Sequence, residues 1–167
     1  VFSMRDFMSR VRGGHNFNKI RFGRDQVNSH ARELDGLIVM NEESFNIHKD
    51  DLKEDGFIIC SPSIAIEHPN LIKLDFQSLA KEAGNVRAGG SVLIGAILSL
   101  YGLDLEKAKQ VFNNYFPEKI LEANLKSLLA GYNAVGEKYN ADKAQDLSNH
   151  IRINGGQAMS TGALAGN

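Results

Sequence analysis

Residues 34–62 read LDGLIVMNEESFNIHKDDLKEDGFIICSP, and this stretch decides the fold. The run 34–41, LDGLIVMN, packs Leu37, Ile38 and Val39 side by side, which suits a strand covered on both faces rather than one with a wet side. The polar, helix-compatible segment 42–56 then reads as a crossover, after which 56–62, GFIICSP, repeats the apolar pattern. Farther on, NLIKLD (70–75) precedes FQSLAKEAG (76–84). Strand and helix therefore alternate at least three times, which predicts parallel pairing with right-handed crossovers. The expected fold class is α/β: a layered fold with a mostly parallel sheet and a helical second half.

The helical half starts near Gly90. GGSVLIGAILSLYGL (89–103) is apolar on nearly all sides, as befits a helix packed between a sheet and its neighbours, and its glycine and alanine permit close approach. Asp104 is placed to cap the next helix, LEKAKQVFNNYF. Pro117 opens a third, 118–139, in which Ile120, Leu121, Leu125, Leu128 and Leu129 recur at helical spacing. Residues 141–150 are polar and read as a linker. The final 17, 151–167, read as a short strand, a glycine turn and the start of a small-residue helix.

On the N-terminal side, NFNKIRFG (16–23) alternates as a half-buried strand, with Asn18, Ile20 and Phe22 on one side and Phe17, Lys19 and Arg21 on the other. Ahead of it stand Arg12, Gly13, Gly14 and His15. Two readings fit. In one, Gly13 is the left-handed residue closing a short helix through Phe7 and Val11, and Arg12 faces water. In the other, the glycine pair lets backbone N–H groups approach a phosphate or carboxylate, helped by Arg10, Arg12 and His15.

Composition narrows the function classes. The 167 residues carry a formal net charge of −1 and are 43% hydrophobic, which suits one ordinary globular core. With cations and anions balanced, no global field favours nucleic acid or an anionic membrane, so any anion site is local. A single cysteine, Cys60, allows no internal disulfide and no iron–sulfur cluster, and it places the chain in a reducing compartment, hence the expectation of a cytoplasmic protein. The longest apolar stretches are shorter than a membrane span. His48, His68 and His150 lack zinc-ligand spacing. Cys60 reads as a buried, inert thiol, and Asn124, amid an apolar helix face, as a structural group bonding backbone. Arg87 precedes a helix N-terminus, a place that favours anions, although loop arginines are commonly just solvated.

Five pieces in order, MRDFMSRVRGGHNFNKIRF, LDGLIVMNEESFNIHKDDL, SVLIGAILSLYGL, EANLKSLLAGY and IRINGGQAMSTGALAGN, together resemble the gamma domain of 2-oxoacid:ferredoxin oxidoreductases. The likeness is to the 2-oxoglutarate type, in which that domain is fused ahead of a thiamine-diphosphate-binding alpha domain. The resemblance implies a gamma domain over 1–140, a linker over 141–150 and the opening of the thiamine domain over 151–167, with the family's first strand and glycine-rich turn not included. Where the family commonly has an Asn before the apolar helix, this chain has Gly90. It further implies a part in coenzyme A-dependent oxidative decarboxylation of a 2-oxoacid, with thiamine diphosphate, Mg²⁺ and iron–sulfur clusters held elsewhere in the complex. The implied partners are the alpha domain, a beta subunit, and ferredoxin or flavodoxin as acceptor. Arg12, Gly13, Gly14, His15 and Arg87 become candidates for binding coenzyme A or another anion, or for contacting a neighbouring domain. The fragment itself is expected to be catalytically inert. The alternatives are a pure subunit-assembly module and a stand-alone nucleotide-binding α/β protein.

Overall fold

The computed structural model describes residues 1–7, 14–23, 25–139, 153 and 155–166. The chain opens with two strands, β1 (Phe2–Phe7) and β2 (Asn16–Arg21), paired antiparallel from Phe2 opposite Arg21 to Phe7 opposite Asn16. The helix through Phe7 that one reading allowed is thereby excluded, since Phe7 closes a strand. Phe2 and Met4 alternate toward the partly buried side, a period of two that outweighs the four-residue spacing of Phe7 and Val11. Val11, Arg12 and Gly13 lie outside the described residues, as do the linker 141–150 and most of the strand expected at 151–153.

A second sheet holds β3 (Leu34–Val39), β4 (Leu52–Cys60) and β5 (Leu71–Lys73) in the order β3-β4-β5, both pairings parallel. Helix α1 (Glu42–His48) and a 3-10 turn (Lys49–Asp51) carry the chain from β3 to β4. The Asn41 side chain caps α1 by accepting from the Ser44 N–H at 2.8 Å. β4 starts earlier than its apolar run, at Leu52, and the register shifts between Leu34 opposite Leu52 and Gly36 opposite Phe57. The extra residues are the exposed Lys53, Glu54 and Asp55, a charged bulge that the sheet expels.

Both faces of this sheet are covered. Phe57 and Ile59 point to one side and pack with Leu74, Phe76, Val92, Ala96 and Leu100. Ile58 and Cys60 point to the other, with Leu37, Val39, Ile64 and Ile66, and Phe45 of α1 lies against them. Cys60 is fully buried and reduced. Gly36 has no side chain because the Phe57 ring lies across it.

α2 (Phe76–Glu82) follows β5, capped by Asp75, and a 3-10 turn (Val86–Ala88) leads into α3 (Gly89–Leu100). Gly84, at φ 101°, ends α2 by letting the Asn85 N–H reach the Ala80 carbonyl. Asp104 caps α4 (Leu105–Tyr115), accepting from Glu106 N–H at 2.8 Å. α5 (Glu118–Ala134) begins after Pro117. It stops five residues short of the expected Tyr139, because Val135 turns extended to enter the core and its carbonyl accepts the buried Ser99 hydroxyl.

α3 and α5 cross with their backbones in contact. A Cβ at Gly95 would overlap the Leu128 carbonyl oxygen, and one at Gly131 the Val92 carbonyl oxygen. The buried stripe of α5 is accordingly Asn124, Ser127, Leu128 and Gly131, whereas Ile120 and Leu129 stay partly exposed. α6 (Gly155–Ala165) is a small-residue helix whose described side chains are all exposed. Among the described residues no helix is long and apolar enough to cross a membrane.

Candidate functional site

β1 ends at Phe7 and β2 starts at Asn16, so residues 8–15, which include Arg12, Gly13, Gly14 and His15, are the connection of a β-hairpin. Gly14 takes φ 93°, a backbone region that disfavours any side chain, and it is exposed. His15 follows, and its Nε2 lies 2.8 Å from Nε2 of His48, the last residue of α1. One of the two nitrogens carries the proton and donates to the other. Phe17 completes the cluster, its ring edge-on to His48 with centroids 4.5 Å apart and stacked on His15 at 5.5 Å.

Charges surround this aromatic knot. Lys19 stands 5.9 Å above the Phe17 ring and pairs with Asp51 at 3.6 Å, and Arg32 reaches the other oxygen of the same carboxylate at 3.3 Å. The Lys19 ammonium thus lies over Phe17 and also finds an anion, and the Phe17 and Lys19 face of β2 is the half-buried one while Ile20 faces solvent. His48 is 7% exposed. Burial foremost, then the His15 ring and the Lys19 ammonium, hold its imidazole below the ordinary 6.5, against the pull of Asp51. The folded chain therefore binds fewer protons at His48 than the unfolded chain does. The stability this group contributes is complete above pH 6.5 and is lost as pH falls below that value.

Arg87 belongs to a second place. It sits exposed in the turn before α3, its N–H donating to the Asn85 side chain at 3.0 Å. Together with Gly84, Asn85 and Val86 on one wall and Phe116, Ile120 and Asn124 on the other, it lines an open groove of about 540 Å³. The Asn124 amide donates to the Ile120 carbonyl at 2.8 Å and its oxygen accepts the Ser91 hydroxyl at 2.7 Å, which fits a structural role. The structure thus brings His15 to His48, and Arg87 to the groove.

The pairing of His15 with His48 was invisible in sequence spacing, since 33 residues separate them. Among the described residues no three His, Cys, Asp or Glu side chains are grouped to hold a metal ion. With Cys60 the single cysteine and buried in β4, these residues do not fit an iron–sulfur cluster.

Three solved structures share this fold. 2-oxoglutarate:ferredoxin oxidoreductase from Magnetococcus marinus, solved with 2-oxoglutarate, coenzyme A and succinyl-CoA bound, superposes with a TM-score of 0.75 at 18% identity. That match covers 97% of this chain but 31% of the other, so the chain spans less than a third of that protein's length. The gamma subunit of a keto/oxoacid ferredoxin oxidoreductase from Geobacter sulfurreducens gives 0.63 at 21% identity, covering 80% of this chain and 78% of that one. Subunit PORC of pyruvate oxidoreductase from Thermotoga maritima gives 0.59 at 19%, covering 79% and 78%. No curated protein matches the sequence. The family model described as pyruvate ferredoxin/flavodoxin oxidoreductase matches residues 1–134, both sheets and all five helices up to α5 included, and the chain belongs to that family.

Proposed function

We propose that this chain is the gamma domain of a 2-oxoacid:ferredoxin or flavodoxin oxidoreductase, with 2-oxoglutarate as the oxoacid, and that it supports catalysis by presenting an anion-binding loop to a neighbour's active centre. The observation that carries the reading is the hairpin connection itself. It joins two paired strands beside a scaffold that is closed on both sheet faces, its described end holds the positive-φ Gly14, and its sequence contains Arg12. A guanidinium there offers a forked, permanent cation to a phosphate or carboxylate, while glycine amides allow close approach. Coenzyme A supplies such an anionic end, and Gly13, Gly14 and His15 complete its loop. Arg87 marks a second anion contact at the groove.

In this reading thiamine diphosphate, Mg²⁺ and the iron–sulfur clusters belong to the alpha domain and beta subunit, consistent with the misfit of this chain's own residues to a cluster. Thiamine diphosphate supplies the carbanion-stabilising chemistry of decarboxylation there. The chain's own work is to bind, orient and exclude water. α6 is the opening of the thiamine domain, which accounts for Met159 and Leu164 standing 78% and 83% exposed on a helix of small residues.

A second reading, an assembly module alone, draws on the apolar side chains left outside, Phe7 and Ile20 on the hairpin and Val111 and Tyr115 on α4. Reconstitution with the alpha domain and beta subunit separates the two. With 2-oxoglutarate, coenzyme A and a low-potential dye under anaerobic conditions, the complex reduces dye. Arg12→Ala raises the KM for coenzyme A by about tenfold, equivalent to one lost charged hydrogen bond, with assembly unchanged. Weakened assembly at unchanged coenzyme A KM would establish the second reading instead, and pyruvate outperforming 2-oxoglutarate would reassign the oxoacid.

A further inference from the structure

We propose that the imidazole pair His15–His48 is a proton-operated clasp that docks the β1–β2 hairpin against α1 above neutrality and releases it on acidification. The geometry supports this in three steps. First, the two Nε2 atoms meet at 2.8 Å, a contact that forms only if at least one of them is unprotonated. Two neutral rings share one N–H···N bond, and a first added proton preserves it, but a second leaves two donors facing each other. Uptake of that second proton is therefore incompatible with the contact.

Second, the surroundings oppose the doubly protonated state. From β2 the pair faces Lys19. From the 3-10 turn it faces Asp51, whose two oxygens are already engaged by Lys19 and Arg32. Asp6 of β1 lies opposite Phe17 in the ladder but is exposed, and the Glu42 and Glu43 carboxylates belong to the far turn of α1. The described cluster therefore holds two cations against one tightly paired carboxylate before either ring charges, and four against one afterwards. His48 has little solvent in which to shed that repulsion, being 7% exposed.

Third, the hairpin is packed on one face only. Its outer face, with Phe7, Asn18 and Ile20, is exposed, and a two-stranded ribbon is marginal on its own. Ties among the described residues include Lys19 to Asp51, Arg21 to the Ser29 carbonyl, the Phe2–His30 stack and Phe22 edge-on to Tyr101. The sheet β3–β5 and helices α2 to α5 hold a separate core, so the hairpin is free to open without unfolding the rest. This inference stands apart from the coenzyme A reading, because it concerns only what holds the hairpin.

The test is amide hydrogen exchange on the full chain, with an NMR titration of the imidazoles. Between pH 8 and pH 5, exchange of the hairpin amides, corrected for intrinsic chemical rates, accelerates roughly tenfold or more, while Ile58 and Ile59 of β4 stay protected. His48→Phe keeps an aromatic ring beside Phe17 and removes the proton, so hairpin exchange becomes equal at the two pH values. Should that variant not fold, His15→Gln retains a hydrogen-bonding partner for His48 with one titrating ring fewer, and the pH response shrinks. Wild-type hairpin exchange that is indifferent to pH, or a response undiminished in either variant, overturns the proposal.

Discussion

The α3–α5 crossing and the β1–β2 hairpin are joined in one chain but are stabilised in opposite ways. At the crossing, Gly95 and Gly131 bring two helix backbones together, Leu100 and Leu128 are fully buried, and the buried polar groups of the two helices are the uncharged Ser91, Ser99, Asn124 and Ser127. At the hairpin, one packed aromatic face and a few ionic ties hold two strands whose other face is wet. Bulk shape complementarity fixes the first and a titratable contact fixes the second. The helices thus form a permanent scaffold, while the strands β1 and β2 are held by contacts that protons and salt can reach.

Substitutions can break that contrast in graded steps. The largest effect is expected from Gly131→Val, which drives a branched side chain into the Val92 carbonyl. It should cost about 3 kcal/mol or prevent folding, read as a lower denaturation midpoint. Next is Asn124→Leu, which strands the buried Ser91 hydroxyl and should cost about 1–3 kcal/mol, part of it recovered by adding Ser91→Ala. Gly14→Ala imposes about 1–2 kcal/mol of backbone strain at φ 93°. Because that cost falls on the hairpin, it should appear in hairpin amide exchange while the global midpoint hardly moves. Asp51→Asn weakens the ties to Lys19 and Arg32 and should change stability by under about 1 kcal/mol, an effect that vanishes at high salt. A Gly14→Ala variant that lowered the global midpoint as much as Asn124→Leu would show that the two regions unfold together.

The parallel sheet was readable because the runs at 37–39 and 57–60 bury both faces and are bounded by polar segments. The helix caps at Asp75 and Asp104 are likewise local chemistry, and the Asp104 cap was expected from sequence. Harder to read was the hairpin, where Phe7 and Val11 mimic a helical spacing while the pairing partner lies across a connection of eight residues. On α5 the apolar count favoured Ile120 and Leu129, but the close approach at Gly131 admits only small groups, so Asn124 and Ser127 are buried instead. That preference comes from the opposing helix, and a single helix's pattern does not contain it. The His15–His48 contact is of the same kind: two ordinary histidines acquire a property only when tertiary structure brings their rings together.

The glycine crossing also sets the dimensions of the groove beside Arg87. One bank, Gly84 to Arg87, runs straight into α3, and the other, Phe116 and Ile120, is carried by α5 and the residue before its proline cap. With the two backbones touching, neither helix has room to slide inward and neither parts from the other without losing its densest packing. The width of the groove is therefore set by the helix crossing and not by adjustment of the side chains at its rim.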